Sequence, residues 1–512
     1  MSIKLQKLQI FLSKAGEEPH TVLKAAVASR ILILSLIVFW RVLLSPYDTS
    51  ATLNPKCLFT HSNNTSPPES IRWPWIGSAI EGSIVWDSVY FVRIAQCGYE
   101  YEQNYAFLPL LPICLNILSR TVFAPLVPVI GYRAVLGLSG YVINNIAFVF
   151  AAVYFYRLSL LVLKDSRAAL RASLLFCFNP ASIFYSSVYS ESLYSLFSFG
   201  GIYYLLSGAN IIAVLAFALS GSARSNGVLN AGYICFQTMH QTIDAIQKKC
   251  IGLAVQSLVA GAIRSIFIFL PFIVCQYYGY YNICRRNSSD EMSPWCKARV
   301  PLLYDYLQSH YWGVGFLRYF QFKQLPNFLL ATPILSLAVC SIVHYTKLRP
   351  EIVFSLGFRA SDEEKKHAVA LYTSMNSRKI VGDTFSSMEV LYNTSREDNK
   401  LKQRKQKSRQ QDYDHVRDPQ KSLNGENKTG YSSILILPFV FHLGFMAATA
   451  FLVMHVQVAT RFLSASPPLY WFCSYIMVST GSSRRWGYLI WAYSVAYILL
   501  GSLLFSNFYP FT

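Results

Sequence analysis

Long unbroken apolar runs recur along almost the whole chain, near 25–44, 106–128, 131–157, 169–189, 192–220, 251–278, 327–345, 431–458, 468–481 and 487–508. No other feature limits the fold so strongly. In hydrocarbon every backbone N–H and C=O must be satisfied internally, so only α-helices and closed barrels cross a bilayer. A barrel strand alternates apolar and polar residues over about ten positions, and these runs do not alternate. The chain therefore reads as an all-α polytopic membrane protein. Boundaries taken from pattern shift by a few residues, which leaves about eight to twelve spans. Composition agrees. Charged residues make up 14% and hydrophobic ones 53%, whereas a soluble domain carries about 25% charged residues. Mean hydropathy is +0.33. A disordered chain and a soluble domain on one anchor are both excluded. The net charge of +19 is then loop charge that sets topology, and nucleic acid is not an expected partner.

Flanking charge orients the chain. Residues 1–24 hold Lys4, Lys7, Lys14 and Lys24 against Glu17 and Glu18. The run 25–44 carries Arg30 and no small-residue cleavage site, so it reads as a retained first span. The loop 45–105 is acidic, which places the N-terminus in the cytosol and this loop on the other side. Acceptor sequons at Asn63 and Asn64, and at Asn287 in a second polar loop 279–326, suit a lumenal position. Cys284 and Cys296 flank part of that second loop. A disulfide between them is one reading, although spacing alone does not prove pairing. Other cysteines, such as Cys177, Cys235, Cys340 and Cys473, sit inside apolar runs and read as core residues. The expected organisation is a transmembrane core over 25–345, a hydrophilic insertion over 346–430 and a C-terminal group of spans over 431–512. The insertion is strongly basic from Lys400 to Arg409 and is placed in the cytosol, where its sequons Asn393 and Asn427 stay silent. It reads either as a partner or lipid-surface site or as a tolerated solvated insertion.

The stretch 86–112, WDSVYFVRIAQCGYEYEQNYAFLPLLP, is the most informative. It joins Asp87, Glu100 and Glu102 to Trp86, Tyr90, Phe91, Tyr99, Tyr101 and Tyr105 just before a span. As a short helix, it brings Asp87, Phe91 and Ile94 to one face, which would lie along the membrane surface. A carboxylate there can take the proton of an incoming hydroxyl. Acids and aromatics are also ordinary in interfacial loops.

This block resembles the first-lumenal-loop signature of the PIG-V family of GPI mannosyltransferases. The residues that carry the resemblance are Trp86 and Asp87, Phe91, Ile94 and Ala95, Gly98 and Tyr99, Glu102 and Gln103, then Ala106, Phe107, Pro109 and Pro112. Four more blocks are similar to the family in the same order: NPASIFYSSVYSESLY from Asn179, ARSNG from Ala223, YWGVGFLRYFQFKQLPNFLLATP from Tyr311 and HVQVATRFLSASPPLYW from His455. The insertion 346–430 has no counterpart block, and Leu108 stands where many relatives carry phenylalanine.

The resemblance implies a GT-C-type helical bundle in the endoplasmic-reticulum membrane with a lumenal active site. It implies transfer of mannose from dolichyl phosphate mannose to the first mannose of a GPI precursor, in an α-1,6 link. Both partners are then lipids, a small membrane accessory subunit is allowed, and neither a cofactor nor a metal is expected. Asp87 is the expected base. Glu102 and Gln103 are candidates for binding sugar hydroxyls, Glu191 for orienting an acceptor hydroxyl, and Trp86 and Gln457 for substrate contacts. Arg318, Lys323 and Arg461 are candidates for the donor phosphate, because a guanidinium offers a planar fork of donors; each also fits snorkelling to headgroups. His455 and Gln457 also fit polar packing within the bundle, and Tyr311, Trp312, Tyr470 and Trp471 fit stacking on sugars or a membrane belt. Alternatives are another dolichyl-phosphate-sugar-dependent GT-C enzyme, a polytopic lipid transporter, or a non-catalytic scaffold. The transporter predicts symmetric broken helices and charges deep in the bundle.

Overall fold

Each apolar run becomes helix, and the turns between them fall where Pro, Gly or a cluster of polar residues interrupts the run. The computed structural model describes residues 17–47, 57–58, 71–285, 293–373, 430–478 and 483–509. The sequons Asn63, Asn64, Asn287, Asn393 and Asn427 lie outside the described residues. The main helices are α1 (Glu17–Leu43), α2 (Pro74–Gly82), α3 (Ser88–Cys97), α4 (Leu110–Arg120), α5 (Tyr132–Leu163), α6 (Ser166–Cys177), α7 (Glu191–Leu206), α8 (Asn210–Ala223), α9 (Ala231–Gln247), α10 (Ile251–Cys284), α11 (Leu303–Tyr311), α12 (Leu325–Leu348), α13 (Leu437–Leu452), α14 (Ala459–Leu463), α15 (Pro467–Ile476) and α16 (Ser483–Ser506). No strand occurs among the described residues.

Among the described residues, six helices are long and apolar enough to cross a membrane: α1, α5, α10, α12, α13 together with the helical turn Ile434–Ile436 that leads into it, and α16. The pair made by α4 and Ala124–Ile130, bent by 69°, adds a seventh if it counts as one span. This is fewer than the eight to twelve expected from the runs. The runs 169–189, 192–220 and 468–481 are cut short by Asn179-Pro180, by Gly208 in a left-handed turn (φ +82°) and by the turn after Ile476. At about 1.5 Å per residue, the resulting helices fall short of a hydrocarbon core of about 30 Å. They pack inside the bundle: α7 lies against α5 and α8, and α15 against α6.

A polar network ties the first span to the interior. Arg30 is buried at the middle of α1. Its guanidinium donates to the Ser182 carbonyl (3.0 Å), to Ser186 Oγ (3.0 Å) and to Ser182 Oγ (3.3 Å), and it lies 3.7 Å from the centroid of Phe148. Asn145 and Asn144 on α5 bond the same turn, at Ser186 and Ser187. Gly140 lets that turn approach closely, because a Cβ there would meet Val188 at 2.6 Å.

Two disulfides brace the loops at one end of the bundle. Cys284–Cys296 is formed, as the sequence allowed, and Cys57–Cys97 joins the first loop to the end of α3.

Part of the insertion is folded onto the bundle. Pro350–Phe354, Asp362–His367 and Val369–Tyr372 are short helices. Gln237 on α9 donates to the Ala370 carbonyl (2.7 Å), and His240 contacts the Leu356 carbonyl (2.9 Å). Buried Arg349 donates to Glu351, to Glu364 and to the Ser432 carbonyl (2.8 Å). A wholly solvated insertion is thus corrected for 350–372, where Ile352, Ala360, Leu371 and Tyr372 supply the buried apolar surface. The contact with Ser432 brings together the places where the chain leaves and rejoins the bundle. Deleting 376–427 and bridging the ends with a short Gly-Ser linker should leave transfer activity within about twofold, since loop closure depends weakly on length. The comparison is rate per folded protein in membranes of expressing cells, and a loss above tenfold would give the deleted segment a role.

Candidate active site

The site forms where α3, the start of α7, the end of α8, α11 and α14 meet. Trp86 precedes α3 with φ 54°, a left-handed conformation that costs a bulky residue roughly 1–3 kcal/mol. The surrounding contacts hold it there: its indole donates to the Phe505 carbonyl (3.2 Å). The sharp turn presents Asp87 at the N-cap of α3. The Asp87 side chain does not cap the helix and turns instead to Arg461 on α14, at 2.9 Å. The α3 helix itself is buried through Phe91, Val92, Ile94 and Ala95. The shared face of Phe91 and Ile94 therefore packs against protein, not along the membrane surface as the sequence suggested.

Arg461 belongs to a four-membered charge cluster. Its Nε lies 3.4 Å from Glu191 Oε1, and Arg224 pairs with the same oxygen. Glu191 is only 2% exposed on its side chain, whereas Asp87 is 34% exposed. Two carboxylates face two guanidiniums, so the cluster is neutral overall. Burial pulls the Arg461 guanidinium down, but Asp87 and Glu191 overcome this and raise it above its ordinary value. Its charge is thus fixed. Tyr189 accepts a hydrogen bond from the Asp87 N–H (3.0 Å), and burial, with Asp87 nearby, holds its phenol well above the usual range. Arg461 also lies over the rings of Phe184 (5.1 Å) and Tyr189 (5.4 Å). Gly227 makes the Arg224 turn fit: a Cβ there would meet the Ser220 backbone at 2.3 Å.

Above this cluster opens a cavity of about 410 Å³, within the range of small-molecule sites. Trp86, Asp87, Arg224, Asn226, Gln457 and Arg461 line it, as do Trp312 and His455. Burial pushes the His455 imidazole down, towards the neutral form.

Residues 18–512 match the family described as Mannosyltransferase (PIG-V). The chain belongs to that family. It is a glycosyltransferase. A rat protein named GPI alpha-1,6-mannosyltransferase 2 is 28% identical over 89% of this chain and 84% of its own length. A Cricetulus griseus protein of the same name is 31% identical over 67% of this chain and 72% of its own. GPI mannosyltransferase 2 of Drosophila pseudoobscura is 27% identical over 96% of this chain and 99% of its own.

The candidates named from the sequence of this PIG-V member divide into two groups. Asp87, Trp86, Gln457 and Arg461 line one cavity, and Glu191 braces it from beneath. Glu102 does not line it. It accepts from Trp295 Nε1 (2.6 Å), Ser293 Oγ (2.7 Å) and Tyr311 Oη (2.8 Å), so it fastens the second loop to the first. Its charge and burial push the Tyr311 phenol up to about 12, burial being the larger cause. Gln103, Arg318 and Lys323 are also away from the cavity lining, and both cations are exposed. Tyr470 and Trp471 are core residues, with the Trp471 indole on Ser159 Oγ at 2.7 Å. Arg224, Asn226 and Tyr189 also line the cavity and were not among the sequence candidates. They lie in two of the similarity blocks, but their pairings span distant parts of the chain.

Proposed function

We propose that this chain adds the second mannose, in an α-1,6 link, from dolichyl phosphate mannose to the first mannose of a GPI precursor. The observation that carries the reading is the Asp87 carboxylate on the wall of a cavity, held by a permanently charged arginine. The printed names of the rat and fly relatives support the acceptor class. A β-linked donor and an α-linked product require inversion, which one in-line displacement achieves. The acceptor oxygen bonds to the anomeric carbon while the bond from that carbon to the phosphate oxygen breaks. Asp87 takes the hydroxyl proton, and the phosphate leaves with the electron pair. Arg461 and Arg224 supply the fixed positive charge that meets it. Arg461 also orients Asp87, and Tyr189 fixes the backbone that carries it.

An endoplasmic-reticulum lumenal location fits this reading. Disulfides persist in oxidising compartments, and both brace the loops beside the cavity. The folded part of the insertion begins at the opposite end of α12, about 36 Å away along 24 residues at 1.5 Å per residue. The test is expression in cells that lack the second GPI mannose. Wild type should restore surface GPI proteins and yield a two-mannose intermediate sensitive to an α-1,6-specific mannosidase. A well-expressed protein that leaves one-mannose intermediates in place would refute the assignment.

A further inference from the structure

The segment 312–324 crosses the surface beside the cavity as a strap between α11 and α12. Gly315 and Leu317 donate backbone hydrogen bonds to the carbonyls of Val453 (3.2 Å) and Leu452 (2.7 Å), where α13 ends. The strap then runs directly into α12. It is thus tied to the same end of two spanning helices, which is where hydrocarbon gives way to headgroups. Its outer side is strongly apolar. Phe322 is fully exposed and Phe316 is 69% exposed. Phe320 packs edge-on against Phe451 of α13 (5.3 Å) and against Phe328 of α12 (5.2 Å), continuing an outward aromatic surface. Arg318 and Lys323 are exposed among these rings. The inner side is different. Tyr319 stacks on His455 (4.6 Å) and donates to Gln457, two residues of the cavity wall. Trp312 and Val314 line the cavity directly.

We propose that this strap is seated in the leaflet on the active-site side and forms the membrane-facing wall of the cavity. Phe316, Phe320 and Phe322 lie among acyl chains. Arg318 and Lys323 rest on the phosphates of anionic bulk lipids, not on the phosphate of the sugar donor. Tyr319 passes the seating of the strap on to His455 and Gln457. Water would impose a large penalty on so many exposed rings, and charges among rings at such a border suit headgroup contact. The proposal deepens the reading that both sugars arrive on lipids, and the first measurement below does not depend on that reading.

That measurement is tryptophan fluorescence of Phe322→Trp in phosphatidylcholine vesicles containing brominated lipid. Emission in excess of wild type should be quenched by lipid brominated high on the acyl chain. Excess emission that resists brominated lipid would overturn the seating, whichever sugar the enzyme transfers. In a second measurement, Phe316→Ser/Phe320→Ser should raise KM for a long-chain donor in vesicles about tenfold, equivalent to about 1.4 kcal/mol, with kcat kept. An equal rise for a short-chain, water-soluble donor would mean a distorted cavity and would refute the wall. Third, phosphatidylserine should lower the donor KM of wild type but not of Arg318→Gln/Lys323→Gln. Indifference of wild type to phosphatidylserine, or a raised donor KM of the double variant in phosphatidylcholine alone, would overturn the headgroup assignment.

Discussion

Asp87→Asn is expected to lower mannose transfer by two to four orders of magnitude and to leave the protein folded. The amide has nearly the shape of the carboxylate but cannot take a proton from the acceptor hydroxyl, and a positioned base contributes about 10²–10⁴ to a rate. The fold should tolerate the change because Asp87 is partly exposed, and Arg461 keeps Glu191 at 3.4 Å and the faces of Phe184 and Tyr189. The Tyr189 bond goes to the Asp87 backbone N–H, which the substitution does not remove. Expression, membrane extraction and thermal inactivation should match wild type, while product formation under saturating substrates collapses. Transfer within tenfold of wild type would remove Asp87 as the base and leave the family membership intact.

Glu191→Ala should act through stability instead. Glu191 is buried, and one of its oxygens accepts from Arg224 and lies 3.4 Å from Arg461 Nε as an ion pair. Its other oxygen has no protein partner among the described residues. Without the carboxylate, Arg224 loses its ion-pair partner and Arg461 keeps only Asp87. Removing one partner of a buried charge group costs roughly 3–5 kcal/mol, a large share of any protein's margin. The expected result is poor accumulation and a markedly lower inactivation temperature in detergent. Glu191→Gln keeps the volume and an acceptor oxygen, so it should accumulate better, with transfer still reduced because Arg461 is held less firmly against Asp87. An unchanged inactivation temperature for the alanine variant would mean that the cluster adds nothing to stability.

The site was legible in the sequence where it is local. Trp86 and Asp87 adjoin in one short block, and Arg461 follows an apolar run, so all three were candidates from the sequence, and all three line the cavity. Arg224 and Tyr189 stood in blocks that were noticed, yet no role could be assigned, because their meaning lies in contacts with Glu191 and Asp87 that only the packed bundle creates. Glu102 lies outside the cavity lining, and its partners too were hidden for the same reason. An acid in an aromatic-rich loop resembles a sugar ligand until Trp295, Ser293 and Tyr311 are seen to occupy it. Helical class followed directly from the apolar runs. The span count did not, because a run says how much chain prefers hydrocarbon and not where a turn will divide it. Cys284–Cys296 was open to inference from two cysteines flanking one loop. Cys57–Cys97 was not, since its members lie 40 residues apart.

Arg30 bears on how the chain is made. A guanidinium at the centre of a helix opposes insertion by about 2.5–3.5 kcal/mol. The groups that satisfy it, Ser182 and Ser186, lie 152 and 156 residues downstream. At ribosomal speeds of about 5–20 residues per second, the newborn first helix waits many seconds for them. Until then it is an indifferent guest of the bilayer, dependent on the insertion machinery for shelter, and its anchoring becomes firm only when later translation delivers the serine turn.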